Sequence, residues 1–139
     1  MINLFLDTNV VMDLLLKRQP FYMDAANIFA LAAINKVALF ASPMTYATAS
    51  YLIGKNNPAL IKPSLRSLRT ISGVTSADQR IVDQALDADF NDYEDALQHF
   101  SALTKDIDYI ITRNIKDFTN SQVEVFTPHD FMEIIQNKQ

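Results

Sequence analysis

The chain has 139 residues, 49% of them hydrophobic, which suits a single domain with a sizeable core. It contains no cysteine and only 2 histidines, which excludes disulfides, thiolate catalysis and thiolate or histidine-rich metal sites. The net charge of −4 argues against a general nucleic-acid coat protein but leaves open an enzyme that binds an anionic substrate through cations.

The amino-terminal residues lack the charged segment and the long apolar segment of a secretion signal. No apolar run approaches the roughly 20 residues needed to span a bilayer. With 2 glycines and 5 prolines, the chain has little room for a linker or a low-complexity stretch. We therefore expect one domain that covers residues 1–139, located in the cytoplasm and not associated with a membrane.

The amino-terminal half alternates short apolar runs with stretches of helical period. Strand propensity predicts a strand at Ile2–Leu6 and another at Val37–Ala41. Apolar residues at helical spacing predict helices from Asn9 to about Arg18, over Phe21–Asn35, over Thr45–Ile53 after a start at Ser42 and Pro43, and from about Pro58 to Ser72. Within the last of these helices, a proline at position 63 would cause a kink or a restart.

The carboxy-terminal half continues the alternation. Apolar runs predict strands at Ile71–Thr75, Tyr109–Thr112 and Val123–Phe126. The helices between and after them are one capped by Ser76 or Asp78, one capped by Asp92 with Ala96, Leu97, Phe100 and Leu103 inside, and one at Pro128–Gln136. Alternating strands and helices predict an α/β fold in which helices cover both faces of a parallel sheet.

An acidic residue follows the first predicted strand directly. Asp7 stands at the carboxyl end of Ile2–Leu6 and beside the start of the next helix, where open α/β folds place their ligand crevices. A helix cap would also explain an acid at this position. Because burying a carboxylate without a partner is costly, Asp7 is the first candidate site residue.

Six acids lie between residues 83 and 95, and no Lys or Arg occurs from Ile81 to Thr104. Part of this charge is ordinary helix chemistry, because acids in a first turn interact favourably with the helix dipole. Asp92 and Glu94 fit that interpretation as well as a functional one. Asp95 differs, because the apolar residues after it direct its helix at the core and turn its side chain toward the strand ends.

If Asp7 and Asp95 meet at the strand ends, their like charges raise one pKa unless a divalent cation keeps both ionised. Hard oxygen ligands favour Mg²⁺ or Mn²⁺. Such a cation suits phosphoryl chemistry, because it activates water and offsets the charge of the attacked phosphate. The pair therefore predicts metal-dependent chemistry on a phosphodiester.

Polar residues also follow the fourth predicted strand. Thr112 and Asn114 would reach the same crevice as hydrogen-bonding groups. Arg113 and Lys116 flank that crevice with charges suited to phosphate oxygens. Asn114 as a helix cap and Asp117 as a surface acid are interpretations that the sequence leaves open.

Three segments in this order resemble the motifs of the PIN domain family over nearly the whole chain: LDTNV at Leu6–Val10, DYEDAL at Asp92–Leu97 and ITRN at Ile111–Asn114. Members of that family are mostly Mg²⁺- or Mn²⁺-dependent ribonucleases, and they include VapC-like toxins of bacterial toxin–antitoxin pairs. The resemblance implies a three-layer α/β/α fold with a five-stranded parallel sheet in the order 3-2-1-4-5. It also implies an acidic pocket above the sheet, where Asp7 and Asp95 bind the metal and Asn9 supports them.

Two positions depart from the family pattern. The glutamate that the family supplies after the second strand falls at Thr48, and the fourth acid is Asn114. Of the four acids in the family pattern, this sequence therefore keeps two. The nearby acids that could replace the missing two are Asp92, Glu94 and Asp117.

The predicted site divides into two sets of residues. The catalytic set is Asp7, Asp92, Asp95 and Asn114, of which Asp7 and Asp95 are the metal ligands. The substrate-binding set is Asn9, Thr48, Thr112, Arg113 and Lys116.

Two functions compete on this sequence. The first is an endoribonuclease that leaves 5′-phosphate and 3′-hydroxyl ends, acts as the toxin of a toxin–antitoxin pair, and has RNA, an antitoxin protein and a second copy of itself as partners. The second is a PIN-like scaffold that has lost ligands at Thr48 and Asn114 and binds RNA or a partner protein without cleavage. A phospho-aspartate enzyme or receiver domain is disfavoured, because Asn9 stands where such phosphatases carry a second aspartate.

Overall fold

A parallel five-stranded sheet forms the centre of the protein in the computed structural model, which describes residues 1–137. In their order across the sheet, the strands are β3 (Gly73–Val74), β2 (Val37–Ala41), β1 (Ile2–Leu6), β4 (Tyr109–Ile111) and β5 (Glu124–Phe126). Every neighbouring pair is parallel. The order 3-2-1-4-5 implied by the family resemblance is therefore confirmed.

Helices connect the strands and cover the sheet. Within residues 1–137 they are α1 (Thr8–Leu15), α2 (Tyr22–Ala33), α3 (Pro43–Gly54), α4 (Ile61–Ile71), α5 (Gln79–Asp87), α6 (Tyr93–Ala102) and α7 (Pro128–Asn137). Two short 3₁₀ turns occur at Pro58–Leu60 and Ile115–Phe118. None of the helices in this part of the chain is both long enough and apolar enough to cross a membrane.

Alternate side chains of β1 enter two separate cores. Leu4 and Leu6 pack into the larger core together with residues of α1, α2, α4 and α7. Phe5 points the other way and packs against Ala102 of α6 and Ile110 of β4. These side chains are fully buried, so helices cover both faces and the predicted three-layer α/β/α arrangement is confirmed.

The hydrogen-bond ladder continues past the ends of the central strands. Leu6 of β1 is in register with Ile111 of β4, and the backbone N–H of Asp7 donates to the Ile111 carbonyl at 2.9 Å. One strand further, the backbone N–H of Thr112 donates to the Phe126 carbonyl at 3.0 Å. This pairing brings Asp7 and Thr112 to the same edge of the sheet.

Two predicted boundaries change for physical reasons. Pro63 lies in the first turn of α4, where a backbone N–H has no partner within the helix, so the helix restarts after the 3₁₀ turn and Pro63 costs no hydrogen bond. The third strand is shorter than predicted and covers only Gly73–Val74. A Cβ atom at Gly73 would lie 2.7 Å from the ring of Phe40, so glycine permits the close approach of β3 to β2.

Helix α6 buries a different face from the one predicted. Ala96 is buried as expected, but Leu97, Phe100 and Leu103 are only partly buried. The fully buried positions that replace them are Gln98, His99, Ser101 and Ala102. The helix therefore turns polar groups toward the sheet, and it does so on the side where the pocket lies.

His99 lies inside an aromatic cluster on this face. Its ring centroid is 5.1 Å from that of Phe90 and 4.7 Å from that of Phe100. Its Nε2 atom accepts a hydrogen bond from the backbone N–H of Gln122 at 3.0 Å. Burial lowers the pKa of His99 to about 4, so the ring is neutral in the folded protein at pH 7.

Replacing His99 with glutamine should reduce the loss of stability on acidification. Between the lowered pKa of about 4 and the ordinary pKa of 6.5, the unfolded chain binds a proton that the folded chain does not. The contribution of neutral His99 is therefore complete above pH 6.5 and is lost as the pH falls toward 4. Urea denaturation at both ends of this range measures the effect, with exposed His129→Gln as the control. Equal acid sensitivity of His99→Gln and the unsubstituted protein would contradict the prediction.

Candidate active site

A pocket opens at the carboxyl ends of β1 and β4, where α3 and α6 approach the sheet. Its volume is about 270 Å³. We call it the acid pocket, and its lining residues are Asp7, Thr8, Asn9, Met44, Thr48, Glu94, Asp95, Leu97, Gln98 and Asn114. The structure thus brings together Asp7, Asp95 and Asn114, which come from three distant segments of the chain.

Asp7 is the buried acid of this pocket, with 7% of its surface exposed. It is also the cap of α1, because its Oδ1 atom accepts the Thr8 backbone N–H at 2.9 Å. Its Oδ2 atom accepts the Thr112 hydroxyl at 2.8 Å and the Asn9 side-chain amide at 3.3 Å. Burial outweighs these hydrogen bonds and raises the pKa of Asp7. The carboxylate is therefore held in one orientation by neutral donors alone.

Gln98 joins Asp7 to α3, a role that sequence analysis missed. Its buried Nε2 atom lies 3.3 Å from Asp7 Oδ1, 2.9 Å from Thr8 Oγ1 and 3.1 Å from Thr45 Oγ1. Its Oε1 atom accepts a hydrogen bond from the Ser42 hydroxyl. Its position one helical turn after the acidic start of α6 was the only sign of this role in the sequence.

Asp95 is the second acid of the pocket and lies in the first turn of α6. Burial raises its pKa to about 7, with further contributions from the negative charges of Asp7, Asp92, Asp117 and Glu94 in that order. The sequence prediction that like charges raise a pKa at this site is consistent with this value. Near neutral pH, and without a cation, a large fraction of Asp95 side chains therefore carries a proton.

The other three acids near Asp7 and Asp95 lie at different places relative to the pocket. Glu94 lines the acid pocket, whereas Asp92 is exposed and caps α6, with Oδ1 accepting the backbone N–H groups of Glu94 at 2.8 Å and Asp95 at 3.3 Å. Asp117 lies in the 3₁₀ turn after β4 and acts on the pocket through its charge. Asp92 is thus the helix cap that the sequence predicted. It was also predicted to be a catalytic residue, but it does not line the pocket.

The two positions that depart from the family pattern both lie at the acid pocket. Thr48 faces it from α3, and Asn114 faces it from the segment after β4. Asn114 is exposed, and its side chain makes no capping hydrogen bond to the 3₁₀ turn that it precedes. Neutral oxygen atoms therefore occupy the two places where carboxylates were expected.

Three residues predicted to bind substrate lie elsewhere. Thr112 is fully buried and its hydroxyl donates to Asp7, so it orients the acid and cannot touch a substrate. The Arg113 guanidinium does not line the acid pocket, because it binds Asp13 through Nε to Oδ2 at 2.7 Å. Lys116 is exposed in the 3₁₀ turn and also does not line the pocket.

Asp13 is a buried anion that sequence analysis overlooked. With 1% of its surface exposed, it accepts Arg18 Nε at 2.9 Å as well as the Arg113 guanidinium. Both arginines also reach Asn9: Arg18 Nη2 donates to its carbonyl at 3.2 Å, and the Arg113 backbone N–H donates to its Oδ1 atom at 3.3 Å. The charged group therefore supports the first turn of α1, which directly follows Asp7. An acid one helical turn after Asn9 was the sequence signal for it.

The donor atoms of the acid pocket suit a hard divalent cation. Asp7, Glu94, Asp95, Asn114 and Thr48, whose side chains all carry oxygen atoms, line the same pocket. Burial raises the pKa values of Asp7 and Asp95, because no positive charge close to them compensates for the lost hydration. A bound cation would supply that positive charge. The carboxylates of the pocket do not form a compact cluster. Within residues 1–137, the only group of three or more His, Cys, Asp or Glu side chains with ligand atoms within 4.8 Å of one another is His129, Asp130 and Glu133, on the exposed surface of α7.

Comparisons with known proteins agree with this geometry. A family model described as a PIN domain matches residues 3–116. Ribonuclease VapC1 of Aquifex aeolicus is 24% identical over 136 residues, which cover 94% of both chains. Among solved structures, VapBC2 from Rickettsia felis bound to a promoter DNA fragment matches with a TM-score of 0.68 and 15% identity, covering 91% of this chain and 98% of that one. A toxin–antitoxin complex from Klebsiella pneumoniae matches with a TM-score of 0.65 and 24% identity, covering 89% and 96%.

Replacing Asp95 with asparagine should stabilise the metal-free protein increasingly as the pH rises from 3.8 to about 7. In that range the folded chain retains a proton on Asp95 that the unfolded chain has lost, so the raised pKa costs stability as the pH increases. The cost is absent below pH 3.8 and complete above about 7, and asparagine removes it.

Urea denaturation in EDTA, compared between Asp95→Asn and the unsubstituted protein across this range, measures the difference. His99 is present in both proteins, so its own pH dependence cancels. Exposed Asp83→Asn on α5 is the matched control. A stability difference that does not grow with pH would show that the charge of Asp95 is not the cause.

Proposed function

The chain belongs to the PIN domain family, and we propose that it is a divalent-metal-dependent endoribonuclease that hydrolyses RNA phosphodiesters in the acid pocket. The observation that carries the proposal is the convergence of Asp7 and Asp95 on one pocket, where burial and mutual repulsion raise the pKa of Asp95 to about 7. Likeness to a curated ribonuclease over 94% of the chain supports RNA as the substrate.

Asp7 and Asp95 would hold the cation, Mg²⁺ or Mn²⁺, because they are the two acids that converge on the pocket from separate segments. Glu94 and Asn114 line the same space and would complete the oxygen ligands, directly or through water. When bound, the cation would offset the charge of the scissile phosphate and activate water.

Neutral side chains of this protein orient the Asp7 carboxylate. Thr112, Asn9 and Gln98 donate to the Asp7 carboxylate and hold it toward the pocket. Such supporting hydrogen bonds commonly change metal affinity or activity about 10- to 100-fold when they are removed. Asn114 also presents an amide group at the pocket wall that would donate to phosphate oxygens, whereas the Asn9 amide already donates to Asp7 and Thr112. Lys116 offers an exposed positive charge beside Asn114, where RNA would approach.

We extend the proposal to a toxin that acts in the cytoplasm as a homodimer and is neutralised by an antitoxin protein. The support is the similar fold of the chain in the Klebsiella pneumoniae toxin–antitoxin complex, which covers 89% of this chain. A toxin that arrests the growth of its own host would need such a partner.

A second candidate function is a scaffold that binds RNA or a partner without cleavage. The neutral side chains of Thr48 and Asn114 favour it, because they leave the pocket without a compact group of three carboxylates. Calorimetry with Mn²⁺ distinguishes the two functions. Absence of binding at millimolar Mn²⁺ would favour the scaffold.

Asp7→Asn should abolish Mn²⁺-dependent cleavage of a structured RNA while the protein remains folded. The amide keeps the size of the side chain but cannot supply negative charge to a cation, so we expect activity to fall by more than the roughly 10- to 100-fold that commonly follows loss of a supporting hydrogen bond. Cleavage by the unsubstituted protein should stop in EDTA, and exposed Asp83→Asn should cleave normally. Cleavage that requires Mn²⁺ and survives Asp7→Asn would remove Asp7 from the site.

The same variants test the toxin role in cells. Induced expression of the unsubstituted chain should arrest bacterial growth, and Asp7→Asn should not. A small protein encoded beside the gene should relieve the arrest, and light scattering of the purified chain should give the mass of a dimer. Growth arrest that is equal for both chains would separate toxicity from the acid pocket.

Thr48→Glu should strengthen metal binding. A third carboxylate at this position would add a charged ligand on the α3 side of the pocket, and we expect Mn²⁺ to bind at least about tenfold more tightly, which corresponds to ~1.4 kcal/mol. Calorimetry measures the affinity, and Thr48→Gln controls for size without charge. If glutamate and glutamine have the same effect, the charge at position 48 does not act on the cation.

A further inference from the structure

A second cavity lies beside the acid pocket, next to helix α1, which carries Asn9 and Asp13. We call it the stacking cavity; its walls include Phe21, Arg113, Asp24 and Pro128, and its volume is about 250 Å³. Pockets for drug-sized ligands are usually larger, at roughly 300–1,000 Å³. The stacking cavity therefore suits a single planar ring system.

One wall of this cavity is a rigid flat platform. The Arg113 guanidinium carbon lies 3.9 Å from the centre of the Phe21 ring, which is a stacked cation–π contact. The guanidinium cannot swing away, because its Nε and Nη2 atoms bind the two oxygens of buried Asp13 at 2.7 and 3.3 Å. Phe21 itself remains 37% exposed. Exposed aromatic rings and guanidinium planes are the surfaces on which unpaired nucleobases stack.

The polar groups around the platform suit a nucleobase. Asp13 binds two arginines, Arg18 and Arg113, and Asp24 at the cavity wall supplies a second negative charge, so these four charged groups balance. The Asp24 carboxylate is a hydrogen-bond acceptor of the kind that pairs with base amino groups. A phenylalanine side chain of a protein partner would use the flat surface but not this acceptor.

The stacking cavity and the acid pocket share a wall. Arg113 belongs to the stacking cavity and the next residue, Asn114, belongs to the acid pocket. The Arg113 backbone N–H also donates to the side chain of Asn9, which lines the acid pocket. A nucleotide chain with a phosphate in the acid pocket would therefore have an adjacent nucleotide within reach of the platform.

We propose that the stacking cavity is a base-binding subsite, in which a nucleobase next to the scissile phosphate of single-stranded RNA stacks on the Phe21–Arg113 platform. The inference rests on the proposed ribonuclease function, because it requires RNA in the acid pocket. It adds recognition of an unpaired base to that function.

The test combines a protein substitution with a base deletion. A labelled single-stranded RNA and a series in which each base in turn is removed to leave an abasic site are bound to the full chain, with Ca²⁺ in place of Mn²⁺ to limit turnover. Fluorescence anisotropy gives the affinities. For the unsubstituted protein, one abasic position should weaken binding about 5- to 150-fold, the usual range for one stacked base. Phe21→Leu keeps an apolar side chain without the flat ring, so this position-specific penalty should disappear.

Two further variants keep the result interpretable. Phe21→Tyr retains the ring and should restore the penalty, and Tyr51→Leu removes an exposed ring on α3 and should leave the penalty intact. Thermal melts establish that each variant is folded. If Phe21→Leu and the unsubstituted protein show the same profile across all abasic positions, the subsite proposal is wrong and the cavity serves another ligand, such as an aromatic side chain of a protein partner.

The measurements distinguish an incorrect subsite proposal from an incorrect proposed function. If the unsubstituted protein cleaves the intact RNA with Mn²⁺ but its abasic profile is insensitive to Phe21, only the subsite proposal falls. If it neither binds nor cleaves RNA under any of these conditions, both proposals fall.

Discussion

The candidate active site depends on the burial of the Asp7 carboxylate at the end of the central strand. A buried carboxylate is tolerated only where hydrogen bonds or positive charge compensate for lost hydration. Thr112, Asn9 and Gln98 supply the hydrogen bonds, yet they are neutral, so the pKa of Asp7 stays raised. The remaining deficit of positive charge, shared with Asp95, is what suits the pocket to a divalent cation.

A second buried acid, Asp13, explains how the first turn of α1, directly after Asp7, is supported. Its two arginines reach back to Asn9, and Asn9 in turn donates to Asp7. The Asp13 side chain is 1% exposed whereas those of Arg18 and Arg113 are 38% and 27% exposed, so removing either arginine would leave a buried negative charge with less compensation. This group is therefore a constraint on the local structure. The same constraint holds Arg113 flat against Phe21, so one buried charge supports two cavities.

The neutral residues at the acid pocket bear on how strongly a cation would be held. Thr48 and Asn114 contribute oxygen atoms without charge, which leaves Asp7, Asp95 and the more exposed Glu94 to balance the cation. Neutral ligands weaken the attraction for the cation, but they also reduce the repulsion among the carboxylates of the pocket. The family fold in this chain is therefore compatible with a metal site of moderate affinity.

The sequence by itself determined the alternation of strands and helices, the candidate acids at the strand ends and, through the family motifs, the order of the sheet. These features follow from local periodicity and from the position of Asp7 and Asp95 relative to the predicted elements. Only the tertiary structure decided the roles of Gln98, Asp13, Thr112 and Arg113. Each of these side chains acts through partners that are distant in the chain, 91 residues away for Gln98 and Asp7 and 100 for Arg113 and Asp13. Which way a polar side chain turns depends on those partners, and the spacing along one segment does not specify them.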